Sequence, residues 1–125
     1  MDGCHIKVLG RGSPGALGDQ VIVREFVREL ADRLELRMLD EPQVDVRDED
    51  GVTVTVALST GHIALHTWPR QAEAVLAPMF VLDVFSCHPF DDEAVGRLLV
   101  ARLYTHGHAI HDLTHTLDYM GYRED

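Results

Sequence analysis

Cysteine is scarce: Cys4 and Cys87 are the only two in 125 residues, too few to staple a disulfide scaffold. In a reducing compartment both stay free thiols, open to chemistry. Lysine is scarcer still, with Lys7 alone, so arginine supplies ten of the eleven basic side chains against 21 acidic ones. The resulting formal charge of −10 opposes non-specific attachment to nucleic acid or anionic lipid, and neither is an expected partner. No apolar run approaches the roughly 18 to 20 residues that a membrane-spanning helix needs. The start, MDGCHIKVLG, has no basic region ahead of a long apolar stretch, so a cytoplasmic protein is expected. A phosphate cradle is missing as well. Gly10, Gly12, Gly15 and Gly18 do not fall in G-x-G-x-x-G order, and the segment reads as a plain loop.

What is present suffices for one domain over residues 1–125, since 46% hydrophobic residues in a chain of this length can close a single core. Residues 4–9 alternate as a strand. Asp19 is placed to cap a helix reaching about Leu34, with Ile22, Phe26, Leu30 and Leu34 as the apolar stripe and Val23 and Val27 beside it. The outer face of that helix alternates arginine with acid, from Arg24 and Glu25 to Glu35 and Arg37, as a solvated surface does. Residues 36–47 carry an interrupted strand pattern limited by Pro42, and Asp48 to Gly51 form a turn. In VTVTVAL, residues 52–58, Val52, Val54, Val56 and Leu58 share one face and Thr53, Thr55 and Ala57 the other.

A further strand from His62 to Trp68 puts His62, Ala64, His66 and Trp68 on one side, with Ile63 and Leu65 opposite. VLDVFSC follows, with Val81, Asp83, Phe85 and Cys87 sharing a face. Asp91 or Asp92 then caps a second helix to about Tyr104, buried through Val95, Leu98, Leu99 and Leu103. HAIHDLTHTL adds a last strand. Strands grouped between helices predict an α+β domain: an antiparallel β-sheet with two helices packed on one face, in the order βα-βββ-αβ.

The chemistry-bearing residues each admit a structural reading. His62 and His66 suit hydrogen-bonded core histidines, Trp68 a packing residue, and Cys87 a buried small hydrophobe. Taken together, however, LSTGHIALHTWP (58–69) and VLDVFSC (81–87) resemble the prokaryotic S-adenosylmethionine decarboxylases, whose signature reads approximately ESH-x-x-x-HTWPE followed by a strand ending DVFTC. His62, His66, Thr67, Trp68, Pro69, Asp83, Val84, Phe85 and Cys87 align, and Gly3-x-His5 looks like that family's first strand. The resemblance implies a pyruvoyl group made when a serine side chain attacks the Glu-Ser bond. Its carbonyl forms a Schiff base with the substrate amine and takes up the electrons released with carbon dioxide. By resemblance His66 is the processing histidine, Cys87 the acid that protonates the decarboxylated carbon, and His62, Trp68 and Asp83 line the ligand site. A homodimer, with active sites near the subunit interface, is implied too.

At the cleavage position this chain has Thr60 for the glutamate and Gly61 for the serine. Glycine has no hydroxyl, so no pyruvoyl group forms there and no cofactor is expected. Ser59 is the alternative nucleophile, displaced by about 3.3 Å per residue along a strand. The link from His66 to Cys87 also runs about six residues longer than the family's spacing. Three functions follow. One is a decarboxylase scaffold that binds a small amine, an S-adenosyl ligand or an active paralogue without catalysis. Another is a working pyruvoyl decarboxylase of polyamine biosynthesis, processed at Ser59. The third is a metal-binding domain using His106, His108, His111 and His115, with Asp112 and Asp118 nearby, although their spacing matches no established metal motif and favours surface histidines.

Overall fold

The computed structural model describes residues 4–47, 51–70, 78–103 and 106–112, the last segment by its backbone. Its elements are β1 (Cys4–Arg11), α1 (Pro14–Leu17), α2 (Gln20–Arg33), β2 (Gln43–Val46), β3 (Val52–Leu58), β4 (Gly61–Trp68), β5 (Met79–Ser86), α3 (Asp92–Leu103) and β6 (His106–Asp112). All six strands join one antiparallel sheet in the order β2-β3-β4-β5-β1-β6. The α+β architecture with helices on one face is as expected. β2 extends the run between the two long helices to four strands, and the glycine-rich loop contains a helical turn with Pro14 at its start, where proline's fixed φ is already helical.

Strand alternation decides which face is covered. Val52, Val54, Val56 and Leu58 of β3, Ile63 and Leu65 of β4, and Phe80, Leu82 and Val84 of β5 are all buried against the helices. From the other side α2 contributes Val23, Phe26, Val27, Leu30 and Ala31, and α3 contributes Val95, Leu98, Leu99 and Leu103. Ile22, placed in the stripe from sequence, is 38% exposed; the stripe runs through Val23 instead. Asp19 caps α2 as expected, accepting from the N–H of Val21 at 2.9 Å and of Ile22 at 3.2 Å. Asp91 caps α3 through Glu93 N–H at 3.0 Å. A bidentate pair from Arg102 to Glu29, at 2.7 and 3.0 Å, ties the two helices together outside the core.

Three boundaries differ from the expectations. Only Gln43–Val46 of the interrupted segment pairs as a strand, with Met38 bridging Leu58 separately. β5 ends at Ser86, so Cys87 stands in the bend beyond the face it was assigned to. β6 covers His106–Asp112, while His115, Asp118, most of the expected turn at Asp48–Gly51 and the rest of the expected last strand lie outside the described residues. Among the described residues no helix is long and apolar enough to cross a membrane.

Candidate functional site

The face of the sheet turned away from the helices carries nearly all the polar side chains that the sequence singled out. Register arranges them in rows across the strands. Thr53, His66, Val81 and Leu9 form one row, and Thr55, Ala64, Asp83 and Lys7 the next. Ala57, His62, Phe85 and His5 form the third.

Asp83 sits between two histidines of the third row. Its Oδ1 is 2.8 Å from His5 Nε2 and 3.5 Å from His62 Nε2. Phe85 packs between the same two rings, edge-on to His5 at 5.6 Å and tilted against His62 at 6.0 Å. Beside His62 the small side chains of Thr55, Ala57 and Ala64 leave a groove of about 420 Å³, rimmed by Asp40 and Glu41 from the β2 edge. That volume is within the range of small-molecule sites.

A second cluster lies at the other end of β4. His66 Nδ1 is 3.1 Å from Thr53 Oγ1, and the Arg47 guanidinium donates from Nε to the same oxygen at 2.9 Å. Arg47 also donates through Nη2 to the carbonyls of Val52, at 3.1 Å, and Thr67, and it covers the Trp68 ring at 4.9 Å. Burial, reinforced by the Arg47 charge and opposed by Asp83, holds His66 below the ordinary histidine value of 6.5. Burial likewise lowers Arg47 from its usual range.

The cleavage position expected from the resemblance occupies a third place, the β3–β4 hairpin. Leu58 pairs with Gly61, leaving Ser59 and Thr60 as a two-residue turn. Thr60 is held on both its groups: its carbonyl accepts from Cys87 N–H at 2.9 Å, and its hydroxyl meets Ser86 Oγ at 2.7 Å. Ser59 N–H is bonded to the Arg37 carbonyl at 2.9 Å. Gly61 itself is pressed against β5. A Cβ added there would lie 1.9 Å from the Phe85 carbonyl oxygen and 2.7 Å from its carbon.

The structure thus brings His62 and Asp83 together, and Gly61 close to Cys87, but it separates His66 and Trp68 from both. His66 stands five residues along β4 from Gly61, about 17 Å at strand rise. It pairs with Val81, six residues short of Cys87 and so about 20 Å from it. Within one chain the expected processing histidine and catalytic acid therefore do not meet. His5, Thr53, Arg47 and the acidic rim were not singled out for a site from the sequence, because only register places them here. No three His, Cys, Asp or Glu groups among the described residues are arranged to hold a metal.

The backbone position at 61 does not suit a pyruvoyl group either, since there is neither a hydroxyl to make it nor room for its side-chain carbon.

Comparison with known proteins agrees with this fold. The sequence pattern of the family described as S-adenosylmethionine decarboxylase matches residues 7–115. Among solved structures, the adenosylmethionine decarboxylase of Aquifex aeolicus VF5 superposes with a TM-score of 0.70 at 21% identity, covering 88% of this chain and 87% of that one. No curated protein matches the chain.

Proposed function

The chain belongs to the S-adenosylmethionine decarboxylase family, and from that premise we propose that it is a member without self-processing, which uses the groove beside His62 to bind a small amine or S-adenosyl ligand. Other members make a pyruvoyl group from their own chain and need no external cofactor. The single observation that carries the proposal is the contact at Gly61, where a Cβ would meet the Phe85 carbonyl at 1.9 Å. A residue with a nucleophilic side chain has no place there while β4 and β5 stay paired.

The ligand class follows from charge. Asp40 rims the groove beside Glu41, which is paired with Arg28, Asp83 lies in the row of Thr55 and Ala64, and the whole chain carries −10, all of which favour a cationic amine or sulfonium over an anion. The aromatic face of Phe85 beside His62 adds an attractive surface for such a cation. Ser59 is a poor substitute nucleophile, because it lies in the turn two residues before Gly61, displaced from the position where the family's signature places its serine. Family members are oligomeric, which supports a homodimer or a pairing with an active paralogue as part of this reading, with the cytoplasm as its proposed compartment.

Two measurements test the proposal. Intact-mass analysis with a carbonyl-trapping reagent should find one unreactive 14.0 kDa species. Calorimetric titration with S-adenosylmethionine and with spermidine should detect binding of at least one, weakened by Asp40→Asn. Two fragments and a trapped adduct, or no heat with either compound, would overturn it.

A further inference from the structure

The Arg47 cluster belongs neither to the groove nor to the closed hairpin. Arg47 is half-buried just after β2, and no carboxylate pairs with it among the described residues. It is nevertheless held firmly. Its own N–H donates to Gly51 O at 2.6 Å, and its side chain donates to Thr53 Oγ1 at 2.9 Å, to Val52 O at 3.1 Å and to Thr67 O. Thr53 is in turn the residue paired with His66 across β3 and β4, with its oxygen 3.1 Å from Nδ1.

Charge sets the direction of donation along this chain of groups. A hydroxyl oxygen that accepts from a guanidinium becomes a stronger donor and a poorer acceptor. Thr53 has one proton to give, and His66 Nδ1 is the one acceptor bonded to its oxygen among the described residues. We propose that Arg47, acting through Thr53, fixes His66 as the Nε2–H tautomer, so that β4 presents a hydrogen-bond donor and not a base to the open sheet face.

The surroundings agree from every side. His66 faces Thr53 on β3, Arg47 beyond β2, Val81 on β5 and Trp68 on its own strand, with Asp83 diagonal to it on β5. Of the two charged groups, Arg47 disfavours the imidazolium more than Asp83 favours it. With its basic nitrogen turned to Thr53, His66 can offer only Nε2–H to a ligand, which must there present an acceptor such as a carboxylate or carbonyl oxygen. Arg47 is a positioning residue in this scheme. The assignment is independent of whether the groove beside His62 is occupied.

The test is ¹⁵N NMR of the whole chain labelled in histidine, with His66→Gln used to identify the resonances. In the unsubstituted protein, His66 should show Nδ1 as an unprotonated acceptor and Nε2 protonated, and it should titrate below 6.5. Thr53→Val should shift the tautomers toward Nδ1–H while the midpoint stays low, and Thr53→Ser should restore the original pattern. Arg47→Met should both loosen the tautomer preference and raise the midpoint, whereas Arg47→Lys should keep the midpoint low. A dominant Nδ1–H form of His66 in the unsubstituted protein overturns the proposal. Unchanged tautomer populations in both Thr53→Val and Arg47→Met would do the same.

Discussion

Placing a hydroxyl at residue 61 is the most direct challenge to the proposed absence of self-processing, and Gly61→Ser should remain uncleaved. The new Cβ would stand 1.9 Å from the Phe85 carbonyl oxygen, against a floor of 3.0 Å for real Cβ contacts, so β4 and β5 must part locally by about 1 Å. That movement strains the Gly61–Ser86 pairing, the Cys87 N–H bond to the Thr60 carbonyl and the Thr60–Ser86 hydroxyl pair. Overpacking of this kind costs about 1–3 kcal/mol, and each weakened hydrogen bond adds up to about 1 kcal/mol. A total near 3 kcal/mol lowers the melting temperature of a domain this size by roughly 10 °C. Gly61→Ala introduces the same carbon without the hydroxyl and should fall by the same amount. Thermal unfolding followed by circular dichroism measures the loss, and intact mass after carbonyl trapping reports cleavage. Both variants should remain single chains. If Gly61→Ser melts with the parent protein, or yields two fragments with a ketoacyl terminus, strand pairing is not what holds the position shut.

Thr67 is buried on the helix side of β4, donating to Leu17 O at 2.8 Å and accepting from Val52 N–H at 3.1 Å. Thr67→Val leaves both partners unsatisfied and should cost about 2 kcal/mol in urea unfolding; an unchanged midpoint would refute the assignment. Glu35 closes α2 at φ 58°, with Leu36 N–H returning to Ala31 O at 2.9 Å and its own N–H to Asp32 O at 3.0 Å. Glu35→Gly should stabilise the fold by about 1 kcal/mol, and a lower melting temperature would show that the side chain contributes more than its backbone strain costs. His66 is held below 6.5 in the folded chain, so the unfolded chain binds the proton first. Its contribution to stability is therefore complete above 6.5 and is lost as pH falls toward the folded value. Urea midpoints at about pH 7.5 and about pH 5.5 should show a smaller acid loss in His66→Gln than in the parent, and equal losses would argue against this origin.

Much of the fold was legible because period-two alternation depends only on neighbours along the chain. Val52 to Leu58 and Gly61 to Trp68 took the faces their sequence order implied, which put His62, His66 and Trp68 on the open side. The stripe of α2 was read one residue off, at Ile22. A strict four-residue spacing drifts by roughly 40° per step around a helix, and burial instead follows Val23, Phe26, Val27 and Leu30. Pro14 was a visible signal for the short α1 that the surrounding glycines obscured.

Pairing across strands was the part that the chain order hid. That Thr53 meets His66, or that Phe85 closes over Gly61 from 24 residues away, depends on hairpin length and register, not on any local pattern. The same distinction separates two claims about function. The proposed absence of self-processing rests first on one residue, Gly61, which has no side-chain hydroxyl. The close approach at 61 is instead a property of two strands packed backbone against backbone, and it makes the glycine a structural requirement of the hairpin. If both hold, the substitution at 61 and the approach of β5 are coupled, and neither can be reversed without the other. A double change that restores serine and also removes the Phe85 ring should still fail, because the carbonyl at 1.9 Å is backbone and no side-chain substitution moves it aside.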